Sequence, residues 1–284
     1  MIPSSEQHSV KSLPQKVGII GCGWLGLPLA EALKKKGHQI RGSTTRPKNI
    51  PRLKKIQIEP FLLEIGAQNI KGDIHSFLNE LDVLILNFPP LRVPNIVDLY
   101  PKQIKHLLPY LSPDIRVIFI SSTSVYPNTG NWVDEKSKLV PEKPSGKALK
   151  KSEEILEHQL GKRLSILRLA GLIGPGRSPG HFLSGQQNLK RAQVPVNLIH
   201  QADAIGLIKT LIQQEAWGLC LNGCADKHPL RKEYYTLAAK RLNLPTPSFS
   251  SNPESETEFK KVSNLRSKQL LGYNYQYPDP TCWA

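Results

Sequence analysis

Apolar positions along the chain keep two rhythms. Short unbroken apolar runs, KVGII at 16–20, LDVLILN at 81–87 and DIRVIFI at 114–120, have the length and branched side chains of strands buried on both faces. Between them apolar residues return at every third or fourth place, as on one face of a helix. Residues 25–34 keep that spacing until Gly37 stops it. The same reading predicts strands over 38–43 and 56–63. It predicts helices over 95–111, 144–153, 204–212 (capped by Asp203) and 230–242, and a last helix over 260–273 closed by Gly272. Pro47 and the pair Pro89-Pro90 end regular structure after two of the strands. Buried strands alternating with helices define an α/β chain with a parallel sheet. At 284 residues one such domain with a small appended lobe accounts for the length.

The first strand runs directly into Gly21-Cys22-Gly23-Trp24-Leu25-Gly26 and then into the first helix. Gly21 permits a sharp turn, Gly23 lets the backbone approach a bulky anion, and Gly26 lets the helix pack close to the strand. The helix start adds free N–H groups and the positive end of its dipole. Glycines also gather in ordinary turns, so the motif takes its meaning from the strand before it and the helix after it. The stretch, with Trp24 and Leu25 inside it, is expected to hold a dinucleotide pyrophosphate on a Rossmann-type, doubly wound sheet. In an NAD site a carboxylate about 20 residues further on binds the ribose 2′-hydroxyl. Here no carboxylate falls between Glu31 and Glu59, whereas Arg41, Arg46, Lys48 and Arg52 do. Thr45 and Arg46 suit a 2′-phosphate, so NADP is expected over NAD. The plain alternative is a solvated basic loop. Asn87, at a strand's carboxyl end, is expected to line the cofactor crevice. The hydroxyl run from Ser121 to Tyr126 reaches the same edge, where such residues either cap turns or meet a substrate oxygen.

Charge and cysteine content change this picture little. The formal charge is +15, but the lysines are scattered and no zinc-finger spacing or aromatic RNA-binding motif accompanies them, so no specific nucleic acid is expected. Cys220 and Cys224 lack a second pair, and Cys22 and Cys282 stand alone, which argues for reduced thiols, no metal and a cytoplasmic setting. Residues 1–15 are polar, lack the apolar stretch of a signal peptide, and read as a disordered leader. No apolar run approaches the roughly 20 residues of a membrane span. The expected state is a monomer or a homodimer.

Taken in order, GCGWLG, ILNFPP, ISSTSVYP, SILRLAGLIGPGR and VNLIHQADA resemble the extended short-chain dehydrogenase/reductase superfamily, the NAD(P)-dependent epimerase/dehydratase group, over residues 16–222. The resemblance implies that the segment 167–177 follows the sixth strand and passes the nicotinamide, which puts Gly171, Leu172 and Ile173 at the cofactor beside Ser121. It implies that residues 16–222 form the NAD(P)-binding domain. A substrate lobe is then assembled from about 174–196 and from 223–284, with His181 facing the substrate and His200 fixing a loop. It places Ser122, four residues before Tyr126, on the superfamily's catalytic Ser/Thr position.

The departures are as informative. Relatives carry Tyr-x-x-x-Lys on the helix after this loop, but here Ser145 stands where Tyr belongs and Leu149 where Lys belongs. A serine hydroxyl, unlike a phenol with a pKa of about 10, is no proton donor near neutral pH. The chain therefore resembles an atypical branch that keeps the fold and cofactor loop without the dyad. Ser122 is the expected catalytic residue and Tyr126 the reserve. The function expected is NADP-dependent hydride transfer on an unidentified small molecule, the alternative being a non-catalytic redox sensor that reads NADP occupancy.

Overall fold

The apolar runs become neighbours in one sheet: β1 (Lys16–Ile20), β2 (Gln39–Thr44), β3 (Glu59–Leu62), β4 (Val83–Leu86), β5 (Arg116–Ser122), β6 (Leu164–Leu169) and β7 (Cys220–Gly223). The computed structural model describes residues 13–250 and 258–284. The expected leader lies outside the described residues up to position 12. At Gln15 the chain is already tied to the sheet, its carbonyl accepting from the Gln39 amide. The strand order is β7-β6-β5-β4-β1-β2-β3 and every neighbouring pair is parallel. β4 and β6 are buried along their whole length, as parallel strands covered on both faces should be. From β1 the chain steps outward through β2 and β3, then crosses back to β4. The loops leaving β1 and β4 diverge at that reversal and open a crevice above the sheet's carboxyl edge.

The helices are α1 (Gly26–Lys34), α2 (Ile50–Lys55), α3 (Ile74–Leu78), α4 (Ile96–Leu107), α5 (Pro144–Leu160), α6 (Gly180–Leu183), α7 (Gln201–Gln213), α8 (Arg231–Arg241) and α9 (Leu265–Leu271). α4 packs on α5, and α1 on α7. Three expectations need correction. The predicted strand over 56–63 begins only at Glu59, because Gln57 adopts a positive φ of 55° in the turn that follows α2. α7 begins at Gln201, capped by His200, whose Nδ1 accepts from the Ala202 amide at 3.2 Å. Asp203 is therefore inside the helix, fully buried. Its carboxylate instead accepts from Tyr273 Oη (3.0 Å) and the amides of Gln276 (2.7 Å) and Tyr277 (3.0 Å), pinning the C-terminal segment to α7.

The third correction is the helix over 260–273. Lys260–Val262 is a strand, paired parallel with Asn131–Val133, and only Leu265–Leu271 is helical, with Gly272 left-handed at its end as expected. The reason is the Asn197 side chain. It donates to the Lys260 carbonyl (2.9 Å) and accepts from the Val262 amide (2.8 Å), presenting the donor and acceptor of a further strand. Residues 174–196 lie against the segment around α8. The Gly180 backbone approaches Ala238 so closely that a Cβ there would meet its carbonyl oxygen at 2.5 Å. Ile173, Leu198 and Tyr234 form a small second core beneath them.

Candidate functional site

Above the β1/β4 reversal lies a cavity of about 1100 Å³ whose wall is supplied by the ends of β1, β4, β5 and β6, the start of α5, and Arg177. The glycine loop forms its floor. Gly21 has φ +101°, and a Cβ there would lie 2.6 Å from the Asn87 carbonyl oxygen, so the turn needs glycine. A Cβ on Gly26 would lie 2.3 Å from the Gly21 oxygen, so α1 starts flush against the turn. Asn87 Nδ2 donates to that oxygen at 2.8 Å and locks the loop to β4. Gly23 is the contrast: a Cβ there would touch no protein atom within 4 Å. The amides of Trp24 and Leu25 find no acceptor among the described residues. An open glycine beside unspent amides at a helix start fits the phosphates of a dinucleotide.

Trp24 reaches across the crevice. Its Nε1 donates to the Pro175 carbonyl at 2.8 Å, and its own carbonyl accepts from Gln201 Nε2 at 2.7 Å. Gly171 and Leu172 line the cavity, but the Ile173 side chain turns into the second core with Leu198 and Tyr234. Thr45 and Arg46 are exposed just beyond β2, outside the cavity lining, with the Arg46 amide donating to Thr44 Oγ1 at 3.2 Å. His181 is exposed on α6, away from the lining.

Ser121 and Ser122 end β5 with opposite commitments. Ser121 Oγ donates to Glu153 beneath the crevice. Ser122 faces the cavity, its Oγ accepting from the Ser124 amide at 3.1 Å, which leaves its O–H proton to be donated outward. Tyr126 lies off the cavity lining, 1% exposed, and donates to Asn222 Oδ1 at 2.8 Å while accepting from Arg168 NH1 at 2.9 Å. Burial pushes its phenol pKa up, against the pull of Arg168. The structure thus gives this phenol a positioning part rather than access to a ligand.

The support of this edge is a buried ion pair that no local sequence pattern marks. Arg168 grips Glu153 with two nitrogens, NH2 at 2.7 Å and Nε at 3.1 Å, both residues being almost fully buried. Removing one partner of such a pair costs about 3–5 kcal/mol, because the other charge is left buried and uncompensated. The pair ties α5 to β6, with Ser121 of β5 bonded to the same carboxylate. Also missed were Arg92, Lys143 and Arg177, the cations of the lining. The lining contains no carboxylate, imidazole, phenol or thiol; Ser145 and Leu149 occupy its α5 side. Such a wall favours an anionic ligand. Among the described residues no cluster of three or more His, Cys, Asp or Glu is placed to hold a metal. Burial pushes the Cys22, Cys220 and Cys224 thiols up to about 12, which keeps them protonated. No described helix is long and apolar enough to cross a membrane.

Sheet order, glycine loop and crevice define the class: an α/β chain with a Rossmann-type parallel sheet. A family model described as NADP oxidoreductase, coenzyme F420-dependent, matches residues 16–108. Protein YeeZ of Escherichia coli (strain K12) is 35% identical over 275 residues, covering 94% of this chain and 97% of YeeZ. The chain belongs to the YeeZ family. Solved structures share the fold. A protein from Silicibacter pomeroyi described as functionally unknown has a TM-score of 0.75 at 23% identity, covering 95% of this chain and 96% of that one. UDP-glucuronic acid 4-epimerase from Bacillus cereus, in complex with NAD, also has a TM-score of 0.75, at 17% identity, covering 92% of each chain.

Proposed function

We propose that the protein binds NADPH in the β1/β4 crevice and catalyses hydride transfer to or from a small molecule, with Ser122 orienting the reacting oxygen. One observation carries the reading: the open Gly23 and the unspent Trp24 and Leu25 amides face the same cavity as the free hydroxyl proton of Ser122. The dinucleotide, when bound, supplies the hydride at its nicotinamide. Ser122 holds a substrate oxygen by donating to it, a role its bond from Ser124 leaves open. Asn87 keeps the loop in shape, and Glu153 with Arg168 keeps the end of β5 in place. Proton delivery falls to solvent or to Lys143, because Ser145 holds its proton too tightly near neutral pH. The preference for NADPH rests on the carboxylate-free stretch between Glu31 and Glu59 and on the exposed Arg46 beyond β2. A second reading, a sensor that binds NADP without turnover, is favoured by the lining's lack of a carboxylate, imidazole or phenol.

Calorimetric titration with NADPH and NADH tests the cofactor. NADPH is expected to bind more tightly. Arg46→Ala is expected to weaken NADPH by about ten- to a hundredfold, the loss of charge-assisted bonds worth about 1.5–3 kcal/mol, and to leave NADH unchanged. Equal affinities in the parent refute the preference.

A further inference from the structure

The segment Gly174-Pro175-Gly176-Arg177 is a turn with a specific address. The Arg177 amide donates to the Gly174 carbonyl at 2.9 Å, Pro175 fixes the second position, and Gly176 has φ +70° at the third, the arrangement of a type II turn. Two contacts clip this turn to the glycine loop. Its Pro175 carbonyl accepts from Trp24 Nε1, and its Arg177 guanidinium lies over the Trp24 ring, 5.5 Å from the centroid. Gly174 seals the joint, since a Cβ there would lie 3.4 Å from the Trp24 ring and 3.0 Å from the Gln201 side chain. Arg177 is exposed, lines the cavity together with Gly21 and Gly23, and has no carboxylate partner among the described residues. The indole face presets the guanidinium in the cavity that Gly23 also lines. A planar fork with five N–H donors and no acid to neutralise it is built for phosphate oxygens.

We propose that Arg177 is a ligand of the cofactor's pyrophosphate, delivered from the substrate side of the crevice by the Gly174–Arg177 turn and aimed by the Trp24 indole. The assignment rests on the dinucleotide reading above and adds a residue from the far wall to a loop otherwise furnished only with backbone amides. Because the pyrophosphate is common to both nicotinamide cofactors, Arg177 sets affinity without choosing between them. Arg46 makes that choice.

Calorimetry on the full chain separates the possibilities, with NADPH, NADH and ADP-ribose, which contain a pyrophosphate, and adenosine 2′-monophosphate, which does not. Arg177→Gln is expected to weaken the first three by about ten- to a hundredfold and leave the last unchanged. Its melting temperature should match the parent's, since the side chain is exposed. Arg177→Lys should recover only part of the loss, a lysine lacking the planar fork. Trp24→Phe removes the bond to Pro175 and should weaken NADPH in the parent yet add little to Arg177→Gln, because both act on one contact. Parent-like affinity of Arg177→Gln for all three pyrophosphate ligands overturns the assignment, as does an equal loss for adenosine 2′-monophosphate. Failure of the parent to bind any of the three refutes the dinucleotide reading itself, and the assignment with it.

Discussion

Gly23→Ala separates folding from binding at the glycine loop. Gly23 has no positive φ, and a Cβ placed on it touches no protein atom within 4 Å, so the folded chain accepts alanine. The substitution also restricts the unfolded chain, which contributes about 0.4–1 kcal/mol of stability. For a protein of this size that raises the melting temperature by about 1–4 °C. Binding should respond in the opposite sense. The new methyl fills the space through which a phosphate reaches the Trp24 and Leu25 amides, and losing two charge-assisted bonds of about 1.5–3 kcal/mol each lowers NADPH affinity by about 10²–10⁴-fold. Differential scanning calorimetry and titration calorimetry on one preparation read both quantities. Gly21→Ala and Gly26→Ala serve as contrasts. Their Cβ atoms would lie 2.6 Å from the Asn87 oxygen and 2.3 Å from the Gly21 oxygen, so both should lower the melting temperature as well as binding. If Gly23→Ala binds NADPH as the parent does, no phosphate approaches that residue and the placement of the cofactor is wrong.

Two further outcomes are expected. Ser145→Tyr with Leu149→Lys, both on the cavity wall, should raise NADPH-linked reduction of a generic carbonyl probe, each change alone doing much less; acid/base assistance is worth about 10²–10⁴-fold, and a double mutant that folds and binds without any gain refutes the α5 alignment. Burial lowers the imidazole pKa of His38, His200 and His228 from 6.5, so each binds fewer protons folded than unfolded. Their contribution to stability is complete above about pH 6.5 and is lost as pH falls through the lowered folded values. His200→Asn, which preserves a cap for α7, should flatten the decline of melting temperature between about pH 7 and 5 relative to the parent. That comparison cancels the opposite contribution of Glu135 and Glu157, whose carboxyl pKa values burial raises. Parallel curves for mutant and parent would exclude His200 as a source.

The legible parts of the site were those whose chemistry is local. Gly21, Gly23 and Gly26 are spaced by the needs of one strand, one turn and one helix, so the motif announced its own geometry. Asn87 and Ser122 both line the cavity, since each follows a buried run and the carboxyl end of a parallel strand opens at that edge. Tyr126 shows where such reasoning stops. It is four residues past Ser122, yet the 3₁₀ turn at Thr123–Val125 swings its ring inward to Asn222 and Arg168, residues far along the chain. Arg177 was readable in principle, since Pro and Gly at the middle of GPGR specify a type II turn; what the turn faces was not.

The sequence by itself determined the parallel sheet and the tight glycine turn after its first strand, because apolar period and glycine spacing are properties of neighbouring positions. Only the tertiary structure decided that Lys260–Val262 is a strand, that Asp203 holds the C-terminal segment, and that Glu153 meets Arg168 beneath the crevice. In these a side chain satisfies groups from 15 to 74 residues away: Asn197 supplies the hydrogen bonds of a missing strand, and a buried carboxylate waits for its donors. Such pairings follow from burial, which leaves a polar group no water to fall back on, and burial exists only once the whole chain has closed around it.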